Sequence, residues 1–183
     1  MSDRIENLQY DRNYLKKNLV SYEHKGIKNF YRVEAITEDP FLFSFIINEM
    51  CKNLKEVMVH SKLDGLATLE ARGFLFATPL AIELGLPLYI IRKKGKLAGP
   101  TYTATYQKSY DEKETIEISA DTDLTGKNIV MIDDGLASGA TTNAMYNLLL
   151  KTHANILFAV FCIQHTYVEC KYDKTEIYSV FDL

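Results

Sequence analysis

IVMIDDGLASGATT, residues Ile129 to Thr142, is the most informative stretch of the chain. Four apolar residues run into two aspartates, a string of small residues follows, and two threonines close the run. An unbroken apolar run of strand length suits a strand buried on both faces of a parallel sheet better than a half-exposed one. Ligands of such sheets sit beyond the carboxyl ends of the strands, so Asp133 and Asp134 are expected at the mouth of a site. GLASGA is then the turn, and Thr141 and Thr142 open a helix, TTNAMYNLLLK. Small residues let backbone N–H groups converge, and the helix N-terminus adds its positive end, which together make a cradle for phosphate. Ser138, Thr141 and Thr142 add hydroxyl donors. Carboxylates beside a phosphate repel it, so the two aspartates should face something else. Vicinal sugar hydroxyls fit, because an ionised carboxylate only accepts and a hydroxyl donates. The stretch reads as a grip for a ribose 5-phosphate, although the same residues taken alone also describe a strand that ends in an acidic turn.

The rest of the chain supports an α/β fold with a mainly parallel sheet. GLATLE, PLYIIRK and ILFAVFCI are further apolar runs of strand length, and they alternate with helical segments from residue 65 to 163. DPFLFSFIINEMCKNLKEVM reads as a helix with Asp39 as N-cap and Pro40 in the first turn. RGFLFATPLAIELG reads as another, closed by Gly85, and residues 3 to 19 as a polar-faced one. Between Lys93 and Thr115 the chain is polar, tyrosine-rich and without clear periodicity, and a loop that long in a compact domain is usually functional or disordered. No repeat or linker divides the chain, so a single domain over residues 1–183 is expected.

Composition narrows the function. The chain has 183 residues, 47% of them hydrophobic, and a formal net charge of −3, which recommends neither nucleic acid nor an anionic membrane as a partner. Cys51, Cys162 and Cys170 show no metal spacing, and Cys51 and Cys162 lie in apolar runs, as reduced buried thiols do. The first residues are charged throughout, unlike a signal peptide, and no apolar run reaches the ~18 residues of a spanning helix. A cytoplasmic protein is expected. The chain has neither G-x-x-x-x-G-K-[ST] nor G-x-G-x-x-G, so the opening stretch is not a P-loop or a dinucleotide fingerprint. A phospho-acceptor receiver domain also carries acids at strand ends but does not need the small-residue cradle.

The stretch resembles the phosphoribosyl pyrophosphate (PRPP) motif of the type I phosphoribosyltransferases. LEARGFLFATPLAIELGLPLYIIRKKGKLAGPT, residues 69 to 101, and GKNIVMIDDGLASGATTNA are similar to the adenine branch of that family, and good similarity spans about residues 65 to 152. The resemblance implies the type I phosphoribosyltransferase fold, with a small N-terminal hood over about residues 1–38 and a flexible catalytic loop. It implies transfer of phosphoribosyl from PRPP to adenine, giving AMP and pyrophosphate, with Mg²⁺ bound mainly through PRPP, pyrophosphate and water rather than by protein ligands. A homodimer is implied on the same ground.

Carried over residue by residue, the resemblance assigns pyrophosphate to Ala71, Arg72 and Gly73, with Arg92, Lys93 and Lys96 as further contacts. A guanidinium fork suits phosphate oxygens. The family's non-proline cis peptide would fall at Glu70–Ala71. Asp133 and Asp134 become the ribose acceptors, and Ala137, Ser138, Gly139, Ala140 and Thr141 surround the 5′-phosphate. Phe30, in GIKNFYRV, is the candidate to stack on the base, with a spacing one residue longer than the family's. The third loop position, usually an aspartate in enzymes for 6-oxopurines, is Ala137, which favours a 6-aminopurine. Residues 96 to 118 resemble the loop that closes over the substrates. The family's glutamate-tyrosine pair reads Ser109-Tyr110, so Tyr110 keeps a covering role, while Ser109 has no useful pKa for proton transfer near neutrality. Asp111 or Glu112 could replace it. Arg72, Lys93, Tyr110, Asp133 and Asp134 are thus the implied catalytic set. Two alternatives stay open. One is the same chemistry on hypoxanthine, guanine or xanthine. The other is a non-catalytic nucleotide- or PRPP-binding regulator of the same fold, though neither a winged helix nor a basic face for DNA is evident.

Overall fold

A computed structural model describes residues 21–24, 27–107 and 112–183, with side chains from residue 31 onward. The helix expected over residues 3 to 19, Ser109, Tyr110, Asp111 and the side chain of Phe30 lie outside the described residues. The first two strands, β1 (Ser21–His24) and β2 (Ile27–Tyr31), form an antiparallel pair of their own. A short helix α1 (Val33–Thr37) leads to α2 (Pro40–Met58). The expected cap is present: Asp39 Oδ1 accepts from the N–H groups of Phe41 at 3.0 Å and Leu42 at 3.1 Å, which satisfies two of the free donors of the first turn.

The main sheet has, among the described residues, seven strands. Its parallel part runs β4 (Leu88–Lys93), β3 (Gly65–Leu69), β7 (Asn128–Leu136), β8 (Asn155–Gln164) and β9 (Glu176–Asp182). Helix α3 (Gly73–Leu84) follows β3, and helix α4 (Ala140–Leu150) follows β7. Gly85 closes α3 in the left-handed conformation, as expected. In β3, β7 and β8 the apolar runs are continuous because alternate residues serve different cores; PLYIIRK departs from that expectation, since β4 buries Ile91 but leaves Ile90 43% exposed. Leu66, Val130, Ile132, Val160 and Cys162 pack with Ile46, Met50, Leu54, Phe76 and Leu80 from α2 and α3. Ala67, Ile129, Met131, Ala159 and Phe161 pack on the other face with Met145, Leu148 and Leu149 of α4. Period-2 alternation with both faces covered produces the unbroken pattern seen in the sequence. Cys51 and Cys162 are free and buried. No helix among the described residues is long and apolar enough to cross a membrane.

The stretch from Lys93 to Thr115 differs from its reading as an aperiodic loop. It holds β5 (Thr101–Gln107) and the start of β6 (Lys113–Ser119), an antiparallel pair in register from Thr101 opposite Ser119 to Gln107 opposite Lys113. β6 also pairs antiparallel with β4, which extends the parallel sheet by two strands. In TYTATYQ, threonine alternates with tyrosine and alanine. The alternation is therefore β-branched against aromatic, and a polar/apolar reading passes over it. The helix expected to open at Thr141 begins one residue earlier. β9 is a strand the sequence reading did not identify. Ile116 of the hairpin is fully buried against Ala67, Met131 and α4. Ile116→Ala should therefore cost roughly 2–5 kcal/mol in a denaturant titration, the range of a core truncation. A residue of a surface loop would change stability by only about 0.5 kcal/mol.

Candidate active site

The carboxyl ends of β3 and β7 open into a cavity of about 350 Å³ lined by Glu70, Ala71, Arg72, Lys93, Asp133, Asp134 and Thr141, with Leu69, Gly135, Tyr106 and Glu114. That volume suits a small-molecule site. A second cavity of about 520 Å³ lies between the end of α2 and Tyr178, away from both aspartates and the small-residue turn.

The two aspartates do not play equal parts. Asp134 is 4% exposed. Its Oδ2 accepts the Tyr31 hydroxyl at 2.5 Å and lies 3.0 Å from Arg72 Nε. The Arg72 guanidinium stands 5.7 Å from the centre of the Tyr31 ring, within cation–π range. Burial and then the charge of Asp134 push the Tyr31 phenol well above its ordinary pKa, so it stays a donor. Arg72, assigned to pyrophosphate by resemblance, is thus paired with Asp134. The side chain that β2 brings to this cluster is Tyr31, next to the expected Phe30. Asp133 faces the cavity. Burial first, and then the charge of Asp134, raise its carboxyl well above the usual carboxylate range. A Cβ on Gly73 would stand 2.9 Å from Asp133 Oδ1, so only glycine lets α3 start this close to the acid.

The turn after β3 carries the expected cis peptide, Glu70–Ala71. Glu70 accepts from the Lys93 N–H at 2.6 Å and pairs with Arg92 Nε at 2.9 Å. Burial opposes the charge of Glu70, but these donors hold its carboxyl below the ordinary range. Arg92 is therefore anchored behind the cavity. Lys96 also does not line it, and its N–H is held by Glu117 Oε1 at 2.8 Å. Of the loop expected around the 5′-phosphate, Thr141 lines the cavity, Ala137, Ser138 and Gly139 form the turn before α4, and Ala140 is the first residue of that helix. Gly139 has φ +78°, and a Cβ there would meet Tyr172 Cβ at 2.7 Å, so glycine is required on both counts. The Lys171 N–H donates to Ser138 O at 3.0 Å and ties that turn to the segment after β8.

Sequence reading missed Tyr31, Tyr106, Glu114 and His165. Tyr106 and Glu114 face each other across the hairpin, so only recognition of its register would have found them. Tyr106 Oη donates to Glu114 Oε2 at 2.5 Å, and Glu114 Oε1 lies 2.8 Å from Lys93 Nζ. Burial and this bond raise the Tyr106 phenol. Among the described residues no group of three or more His, Cys, Asp or Glu side chains could hold a metal ion. The cavity lining itself counts four carboxylates, at Glu70, Glu114, Asp133 and Asp134, against two cations, Arg72 and Lys93.

The chain matches the family model for a phosphoribosyl transferase domain over residues 35–181. The chain belongs to the phosphoribosyltransferase family. It is 36% identical over 141 residues to the adenine phosphoribosyltransferase of Treponema denticola, covering 77% of this chain and 71% of that enzyme. With the human adenine phosphoribosyltransferase the identity is 39% over 137 residues, 75% of each chain. A crystal structure of the Saccharomyces cerevisiae adenine phosphoribosyltransferase, complexed with an imino-altritol bisphosphate and adenine, superposes with a TM-score of 0.75 at 30% identity, covering 90% of each chain.

His165, just beyond β8, is buried, with its ring 5.7 Å from Tyr31 and its Nδ1 without a hydrogen-bond partner. Burial lowers its pKa below the ordinary 6.5; the charge of Asp134 opposes this and that of Arg72 adds to it. With the folded pKa depressed, the unfolded chain takes up a proton first as the pH falls. This contribution to stability is full above pH 6.5 and is lost as pH drops toward the folded value. Between about pH 7.5 and 5, the urea midpoint of the parent should fall, and His165→Leu should remove that part of the fall.

Proposed function

We propose that this chain transfers the phosphoribosyl group of PRPP to adenine, releasing AMP and pyrophosphate. The observation that supports this best is the convergence of Arg72, Lys93, Asp133, Asp134 and Thr141 on one cavity at the carboxyl ends of β3 and β7. A bond forms from the adenine N9 to the anomeric carbon, the bond from that carbon to the pyrophosphate oxygen breaks with its electron pair, and the N9 proton leaves. The sugar is cationic at the transition state, and charge builds on the departing pyrophosphate.

In this reading Asp133 accepts from the ribose hydroxyls, and Asp134 holds Tyr31 and Arg72 in place beside it. Ala137 to Thr141, at the start of α4, surround the 5′-phosphate, where helix N–H groups and dipole favour an anion. Ala71, Arg72, Gly73 and Lys93 take the pyrophosphate, with Arg92 and Lys96 behind them. Phe30 remains the candidate for the base, and Tyr110 for covering it. Four carboxylates in the lining make a polyanion unwelcome unless a cation travels with it. Mg²⁺ bound through PRPP oxygens and water would neutralise the charge gathering on pyrophosphate, and Asp133, in the lining, would accept from such a water. A single cytoplasmic domain over residues 1–183, hooded by about residues 1–38 and paired as a homodimer, completes the reading.

Ala137 supports adenine over the 6-oxopurines, because no acid stands there to exchange a proton with N7. Offered each purine base with PRPP and Mg²⁺, the protein should use adenine roughly ten-fold better than hypoxanthine or guanine, about 1.4 kcal/mol in transition-state terms. A preference for a 6-oxopurine would refute the argument from Ala137. Tight PRPP binding without turnover on any base would favour a regulator.

The loop pair Ser109-Tyr110 lacks the family's acid, and general acid–base catalysis is worth typically ~10²–10⁴-fold. The enzyme should work, slowly, on its remaining electrostatics. Ser109→Glu should raise kcat for adenine, whereas Asp111→Asn with Glu112→Gln should change it little. A large loss in the latter would assign the proton to one of those two acids.

A further inference from the structure

Glu114 occupies a position that the transfer reaction does not explain. It sits on β6, between β4 and β5 in the sheet, and takes one donor from each neighbour. Its Oε1 is 2.8 Å from Lys93 Nζ of β4, and its Oε2 accepts the Tyr106 hydroxyl of β5 at 2.5 Å. The carboxylate is largely enclosed, with 16% of the side chain exposed, whereas that of Lys93 is 48% exposed. Both donors reach the cavity shared with Arg72, Asp133 and Thr141. An ammonium and a phenol O–H converging on two oxygens of one anion would serve phosphoryl oxygens equally well.

We infer that Glu114 is an internal counter-ion that competes with the diphosphate group of PRPP for Lys93 and Tyr106, and so sets the affinity of the site for PRPP and pyrophosphate. This rests on the reading of the cavity as a PRPP site. Glu114 holds Lys93 oriented toward the cavity. Incoming diphosphate draws the ammonium away from the carboxylate, which returns when pyrophosphate leaves. Glu114 is therefore a positioning residue, acting through Lys93 rather than on the reacting atoms. Because Lys93 is half exposed, water screens the competition and its effect is several-fold rather than many orders of magnitude.

Calorimetric titration with magnesium pyrophosphate tests the inference directly. Glu114→Gln, and Glu114→Ala as a second variant, should bind it roughly two- to five-fold more tightly than the parent, in keeping with a partly exposed ion pair. In the adenine assay the same variants should lower the KM for PRPP and leave kcat little changed. Placed in a Lys93→Met background, Glu114→Gln should give no such gain. Unchanged or weaker pyrophosphate binding in both variants overturns the inference, as does a gain that persists without Lys93, since Glu114 would then act by general repulsion. A large loss of kcat at constant KM also overturns it and makes Glu114 a catalytic acid. If the parent itself binds neither pyrophosphate nor PRPP, the reading of the cavity falls and this inference falls with it. Binding by the parent with no change in the variants removes this inference alone.

Discussion

Asp134 is a buried carboxylate at the end of a central strand, and three parts of the chain are arranged around its charge. β2 supplies the Tyr31 hydroxyl, the turn after β3 supplies Arg72, and β7 supplies the acid itself. A carboxylate at this depth is stable only if its oxygens are paired, and removing one partner of a buried pair typically costs roughly 3–5 kcal/mol. Arg72 is 41% exposed, so water screens part of that cost and leaves the guanidinium within reach of a ligand. The same pairing holds the start of α3 against the end of β7. This is why Gly73 must be a glycine and why Asp133 is left facing the cavity.

Charge balance is the second constraint. The cavity lining has more carboxylates than cations. Each acid is accounted for locally. Asp134 is neutralised by Arg72, Glu70 by Arg92 and the Lys93 N–H, and Glu114 by Lys93 and Tyr106. Asp133 is held toward its neutral form by burial. The cations are therefore engaged and oriented within the protein. Preorganised charge of this kind costs no reorganisation at the moment of reaction, which is where electrostatic catalysis gains most.

Much of this was legible in the amino-acid order because the relevant signals are local. The continuous apolar runs of β3, β7 and β8 specify strands covered on both faces, Asp39-Pro40 specifies the start of α2, and Gly85 the end of α3. The small residues between Asp134 and Thr141 specify a turn that leads from strand to helix, and Gly139 is bound to its place by a positive φ. The motif order then identified the family. The hairpin was harder to read, since its Thr/Tyr alternation carries little contrast in polarity, and β9 went unread beyond the stretch in which strands and helices alternate.

Tertiary structure alone decided how the site residues are shared. Sequence placed Asp133 and Asp134 side by side as equivalent acceptors, but successive residues of a strand point to opposite faces, so Asp134 takes Tyr31 and Arg72 although both acids border the cavity. Tyr31 and Asp134 are 103 residues apart, and no local pattern links them. Glu114 and Tyr106 meet only because β5 and β6 pair in one register, and Lys93 joins them only because β4 lies on the other side of β6. Sequence by itself determined the strand, turn and helix that carry Asp133, Asp134 and Thr141, since that follows from local conformation and chemical type. Which charges neutralise one another depends on strand order and on which face each side chain takes, and these exist only once the chain has folded.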